Sequence, residues 1–137
     1  MTVWGAQTGQ ETLTLKGHSN LVTSVSFSRD GKLIVSGGDN TPKVWDAQTG
    51  QETLTLGGHA DCVNSVSFSP DGKRIVSGGG NYRGSIKVWD TQTGQETLTL
   101  KGHYVTSVSF SPDGKRIVAG VGSMPKVWDI SSLDTSK

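Results

Sequence analysis

"QTGQETLTLKGH" stands at residues 7–18, returns as "QTGQETLTLGGH" at 48–59, and appears again as "QTGQETLTLKGH" at 92–103. A period repeated this closely marks stacked copies of one supersecondary unit, and it decides the fold. Trp4, Trp45, Trp89 and Trp128 mark the period, 41, 44 and 39 residues apart. Each interval holds the same four short segments. "ETLTL" at 11–15, 52–56 and 96–100 alternates Thr and Leu with period two, as a half-buried strand does. "SVSFS" at 24–28, 65–69 and 107–111 alternates small polar residues with Val and Phe. "IVSG" or "IVAG" follows, and then "KVWD", with "TVWG" as its N-terminal counterpart. The "SRDGK" or "SPDGK" between the second and third kinds of segment suits a tight hairpin turn, its Gly free to take positive φ. The unit is a four-stranded antiparallel meander. An ordinary sandwich would not need copies so nearly identical.

Composition excludes several classes of function. The chain has 137 residues, within the range of one domain, and 32% of them are hydrophobic. No apolar run approaches the roughly 18 residues of a membrane span, so no membrane partner is expected. "MTVWGAQTGQ" lacks the basic and apolar regions of a secretory signal. Thirteen basic and twelve acidic residues leave a net charge of +1, which makes no electrostatic case for nucleic acid. Cys62 is the single cysteine, so no internal disulfide can form and a cytoplasmic location is expected.

Gly17-His18, Gly58-His59 and Gly102-His103, together with Trp45-Asp46, Trp89-Asp90 and Trp128-Asp129, resemble the WD-repeat (WD40) β-propeller family. The resemblance covers almost the whole chain and leaves out only the tail "ISSLDTSK". It implies an all-β fold of propeller blades, each a four-stranded antiparallel sheet. It also implies a network in each blade joining His, Ser or Thr, Asp and Trp. The first repeat matches in full, with His18, Ser36, Asp39 and Trp45. The second keeps His59, Ser77 and Trp89, but "GGGNYRGS" has no acidic residue where the Asp belongs. The third keeps His103 and Trp128, Ala119 replaces the serine, and "HYV" is two residues shorter than "HSNLV". One complete network in three is therefore expected, with the first blade the most rigid. Either the later repeats have decayed or their loops were remodelled to bind something.

Chemistry finds little support. His18, Ser36 and Asp39 contain the residue types of a hydrolase triad, but no nucleophile elbow surrounds Ser36, and the resemblance gives the same atoms to fastening strands. No catalytic residue is assigned. Histidines in successive repeats make poor zinc ligands, and "SGGGNYRGS" lacks the Gly-Lys-Ser/Thr of a phosphate loop. No metal and no cofactor are expected. If an unidentified protein or peptide partner is bound, Asn81, Tyr82 and Arg83 are the best contacts, since an aromatic and an arginine on an extended loop suit a hot spot.

Counting strands raises the question of assembly. The segments divide into a first blade at 17–56, a second at 58–100, and a third at 102–129 that lacks its outer strand; 130–137 form a tail in which Leu133 offers a poor substitute. The outer strand Glu11, Thr12, Leu13, Thr14 and Leu15 stands at the front, beyond a residual "TVWG". It is expected to pair beside Lys126, Val127, Trp128 and Asp129 of a neighbouring chain. Propellers have four to eight blades, and three cannot enclose a circle. The expectation is a non-enzymatic protein-interaction scaffold that closes as a homo-oligomer of two or three chains. The alternative is a fragment or remnant whose further blades belong to a longer chain, such as the sensor of a signalling NTPase. Fold alone does not choose between them.

Overall fold

The computed structural model describes residues 1–18, 21–59 and 61–135. Among them are thirteen short strands: β1 (Thr2–Trp4), β2 (Glu11–Thr14), β3 (Ser24–Phe27), β4 (Leu33–Gly37), β5 (Lys43–Asp46), β6 (Glu52–Thr55), β7 (Val63–Phe68), β8 (Arg74–Gly79), β9 (Ser85–Asp90), β10 (Glu96–Lys101), β11 (Val105–Phe110), β12 (Arg116–Val121) and β13 (Met124–Asp129). β3–β6 and β7–β10 form two four-stranded antiparallel sheets, β11–β13 a three-stranded one, and β1–β2 a hairpin.

Local chemistry repeats with the sequence. In "SRDGK" the Ser28 hydroxyl donates to Asp30 (2.7 Å), whose carboxylate also accepts the Lys32 amide at 2.9 Å. Gly31 then turns the chain at φ 76°, a conformation that costs a glycine little. Ser69 with Asp71 and Ser111 with Asp113 build the same turn. The Asp of each Trp-Asp pair caps the next turn: Asp46 accepts the amides of Gln48 (2.8 Å) and Thr49 (2.9 Å), and Asp90 those of Gln92 and Thr93. These bonds hold the Asp46 carboxyl below its ordinary pKa. Part of the opening repeat is therefore a turn signal.

The sheets pack face to face through the valines and phenylalanines of the period-two segments. Val35 and Val44 of the first blade are buried against Val63, Val66 and Phe68 of the second. Val76 and Val88 of the second are buried against Val105, Val108 and Ile117 of the third. Glycine permits this approach: a Cβ on Gly78 would stand 2.6 Å from Val108 and 2.7 Å from Val105.

The ends differ from the expected layout. Within the chain β2 pairs with β1, and Thr2↔Thr14, Val3↔Leu13 and Trp4↔Glu11 reproduce the register of Lys43↔Thr55, Val44↔Leu54 and Trp45↔Glu52. The "TVWG" remnant is thus a real inner strand for residues 11–14, because it carries the Val-Trp pattern of every third strand. Val3 and Leu13 pack against the buried cluster of Leu15, Ile34 and Trp45 on the first blade. The tail supplies no substitute strand: Ser131–Thr135 form a 3-10 helix, with Ile130 buried and Leu133 packed against the last core cluster. Among the described residues, β13 pairs with β12 alone.

Candidate functional site: the blade networks and the Tyr82 rim

In the first blade β4 and β5 bring Ser36 and Trp45 together, and the chain entering β3 lays His18 across them. The Trp45 indole N–H donates to Ser36 Oγ at 2.8 Å, and His18 Nε2 lies 2.5 Å from that oxygen. Asp39 Oδ2 stands 3.5 Å from His18 Nδ1, which is within ion-pair range. Nδ1 is otherwise buried without a hydrogen-bond partner. Burial pushes the Asp39 carboxyl pKa up, but the Thr41 amide (3.1 Å) and hydroxyl (3.0 Å), with His18 beside them, outweigh it and hold it low. The residue types of a triad do meet here. Ser36, however, is fully buried with its oxygen already committed to Trp45 and His18, a geometry that fastens strands.

The second blade corrects the expectation of a single complete network. Trp89 donates to Ser77 Oγ at 2.8 Å, His59 Nε2 lies 2.6 Å from it, and Ser85 Oγ meets His59 Nδ1 at 3.1 Å. A hydroxyl takes the place of the missing carboxylate. Both His59 nitrogens are thus hydrogen-bonded, whereas His18 Nδ1 has the 3.5 Å approach of Asp39, so the second network is complete without an acid. The signal for it in the sequence is a hydroxyl, Ser85, at the start of β9, where the resemblance implies an acid.

The third blade has no network. Ala119 offers no oxygen, Trp128 is half-buried, and His103 is exposed. The shortened loop turns the His103 ring toward the Tyr82 ring, 4.8 Å between centroids, and His103 Nδ1–H donates to the Tyr82 carbonyl. Tyr104 takes φ 54° in the same turn. Asn81, Tyr82 and Arg83 are exposed, as a partner site requires. Loops of neighbouring strands adjoin at this rim: the Val63 amide donates to the Asp39 carbonyl (3.2 Å), and the Tyr104 amide to the Asn81 carbonyl (2.6 Å). Residues 19, 20 and 60 of that rim lie outside the described residues, as do the side chains of Glu11 and Thr12.

A second repeated device escaped the sequence reading. Lys43 Nζ reaches Glu52 (3.1 Å) and Thr55 (3.4 Å), and Lys87 Nζ reaches Glu96 (3.0 Å) and Thr99 (3.0 Å). Each clamp joins a third strand to its outer strand. The signal is the register of "KVWD" against "ETLT", which sets Lys opposite Thr.

Burial first, and the Lys87 ammonium second, hold the His59 pKa down to about 4 from 6.5. Between those values the unfolded chain binds a proton that the native blade refuses, so stability falls as pH falls. The expected loss is about 2 kcal/mol between pH 7 and pH 5. Urea unfolding at both pH values checks it, and an equal midpoint and slope at the two would contradict a neutral buried His59.

Among the described residues no three His, Cys, Asp or Glu side chains gather in a metal-binding group. No helix there is long and apolar enough to cross a membrane. No curated protein matches the chain. The model of the WD40 family (WD domain, G-beta repeat) matches residues 9–46, 50–90 and 94–129. Three successive matches over these antiparallel sheets mean that the chain belongs to the WD40 family, whose repeats are of the protein-interaction scaffold type.

Proposed function

We propose that the chain is a protein-interaction scaffold whose three blades close into a ring by head-to-tail association with further copies of itself. One observation carries the reading: its two exposed ends are the two halves of an interface that the chain already forms twice internally. Val118 and Val127 are 40% and 59% exposed on the last blade, yet their counterparts Val35, Val44, Val76 and Val88 are buried. Val25 and Phe27 are 54% and 55% exposed on the first blade, and their counterparts Val66 and Phe68 are buried. A heterologous contact of this kind repeats from copy to copy and makes a ring when its rotation closes. The free edge of β13 is a further invitation to pairing, and Lys126 there has the place that Lys43 and Lys87 use to clamp an outer strand. In a closed ring β1 and β13 compete for one position beside β2. β13 is held by six register pairs and β1 by three, so β1 gives way.

The ring then offers its rim to a protein or peptide partner, with Asn81, Tyr82 and Arg83 as the contact residues. A cytoplasmic setting agrees with the exposed free thiol of Cys62. Native mass spectrometry of the 137-residue chain is expected to give two or three times 14.5 kDa. Val127→Asp, which places a charge on the exposed face without touching an internal core, should reduce the species to one chain. A folded, monodisperse monomer from the unaltered chain would overturn the reading.

A further inference from the structure

The rim where His103 meets Tyr82 has a chemistry of its own. A cavity of about 620 Å³ opens between the second and third blades, and Arg83, Lys87, Lys101, Lys126, Tyr82 and His103 line it. No carboxylate lines it among the described residues. A chain with a net charge of +1 has thus gathered four cations on one cavity, so the concentration is local and not a consequence of a basic protein. Two of the four have other work. Lys87 is neutralised by Glu96, and Lys126 stands on the β13 edge reserved above for an outer strand. Among the described residues, Arg83 and Lys101 are exposed and make no ion pair.

The walls are held in place before any ligand arrives. The Tyr104 amide bonds to the Asn81 carbonyl at 2.6 Å, His103 to the Tyr82 carbonyl, and the Gly102 amide to the Gly84 carbonyl at 3.2 Å. Gly84 is required for that approach, because a Cβ there would stand 2.3 Å from the Gly102 carbonyl oxygen. These bonds knit the loop carrying Tyr82 and Arg83 to the turn carrying His103. Tyr82 remains 67% exposed while its backbone is fixed. Such a loop loses little freedom on binding, and preorganisation of this kind is worth affinity.

We infer that this cavity binds an acidic peptide segment, placing one or two anionic side chains between Arg83 and Lys101 and an apolar neighbour against Tyr82. The inference rests on the scaffold reading and names the class of its ligand. The planar guanidinium of Arg83 can take a carboxylate or a phosphate by two parallel hydrogen bonds, and Lys101 adds a point charge. A nucleic acid fits less well: its evenly spaced phosphates need an extended basic stripe, whereas this cavity offers a compact cluster around Arg83 and Lys101.

The test uses the whole chain and a fluorescein-labelled octapeptide alternating Glu and Leu, followed by anisotropy. Its phosphoserine-for-Glu and Gln-for-Glu twins form the other arms. Either acidic peptide is expected to bind at least about tenfold more tightly than the Gln peptide, and raising salt from about 50 to 500 mM should weaken it severalfold. Whichever binds better tells carboxylate from phosphate as the source of the charge. The double variant Arg83→Ala, Lys101→Ala should lose about tenfold or more while its melting temperature and native mass stay those of the parent. Tyr82→Phe should bind as the parent, and Tyr82→Ala several times more weakly. Equal binding of the Gln peptide, indifference to the double variant, or equally tight displacement by a single-stranded oligonucleotide would each overturn the ligand class. Native mass is read separately, so failure here is distinguishable from failure of ring closure.

Discussion

Ser77→Ala is expected to destabilise the chain by about 3 kcal/mol, because one hydroxyl serves two buried partners. Removing it strands the Trp89 indole N–H and His59 Nε2, in side chains that are 1% and 5% exposed. Water cannot reach either group as a replacement. The third blade already carries the alanine, at Ala119, and tolerates it because the groups that would need a serine have left: Trp128 is half-buried and His103 faces Tyr82. Ala119→Ser should gain no stability in return, since the added hydroxyl would be buried in the core without His103 to pair with. Urea denaturation of the two variants beside the parent measures both. If Ser77→Ala cost less than about 1 kcal/mol, the network would not be what stabilises the second blade.

Gly79→Ala is expected to cost about 3 kcal/mol or more through collision with backbone. The added Cβ would stand 2.1 Å from the Cys62 carbonyl oxygen, 2.7 Å from the Val63 Cα and 3.0 Å from the Asn64 amide nitrogen. None of these is the end of a flexible side chain, so the end of β8 or the start of β7 must move. The movement also loosens the Gly80 amide from the same carbonyl, which it now meets at 2.9 Å. The first blade repeats the arrangement, with Gly38 at 2.0 Å from the Leu21 carbonyl oxygen. Gly57→Ala is the control, since nothing lies within 4 Å of its added Cβ, and it should stay within about 0.5 kcal/mol of the parent. Thermal unfolding of the two variants decides the matter, and a Gly79→Ala chain as stable as Gly57→Ala would mean that the loop can retreat at no cost.

Much of this protein was readable from residues alone. Strands, turns and blades followed from "ETLTL", "SVSFS", "SPDGK" and "KVWD", since each is a local preference written into a few neighbours: alternation for strands, Asp-Gly for turns, the Asp of Trp-Asp for the cap that follows. The meeting of His18, Ser36 and Trp45 followed from resemblance, because the register of β4 on β5 sets their spacing. Other features depend on residues far apart in the chain. Ser85 completes the second network from 26 residues beyond His59, and no acid or motif announces it. The pairing of β2 with β1 was decided by packing on Ile34 and Trp45, which only the folded first blade presents. The cavity beside Tyr82 is built from residues about twenty or more positions apart: the turn at His103 meets the Tyr82 loop, and Gly84 admits the Gly102 carbonyl. The sequence by itself determined the repeating unit, because strand and turn propensities are local. The tertiary structure decided which network is satisfied and where charge stands unpaired, because hydrogen-bond geometry and burial depend on atoms that folding alone brings within reach.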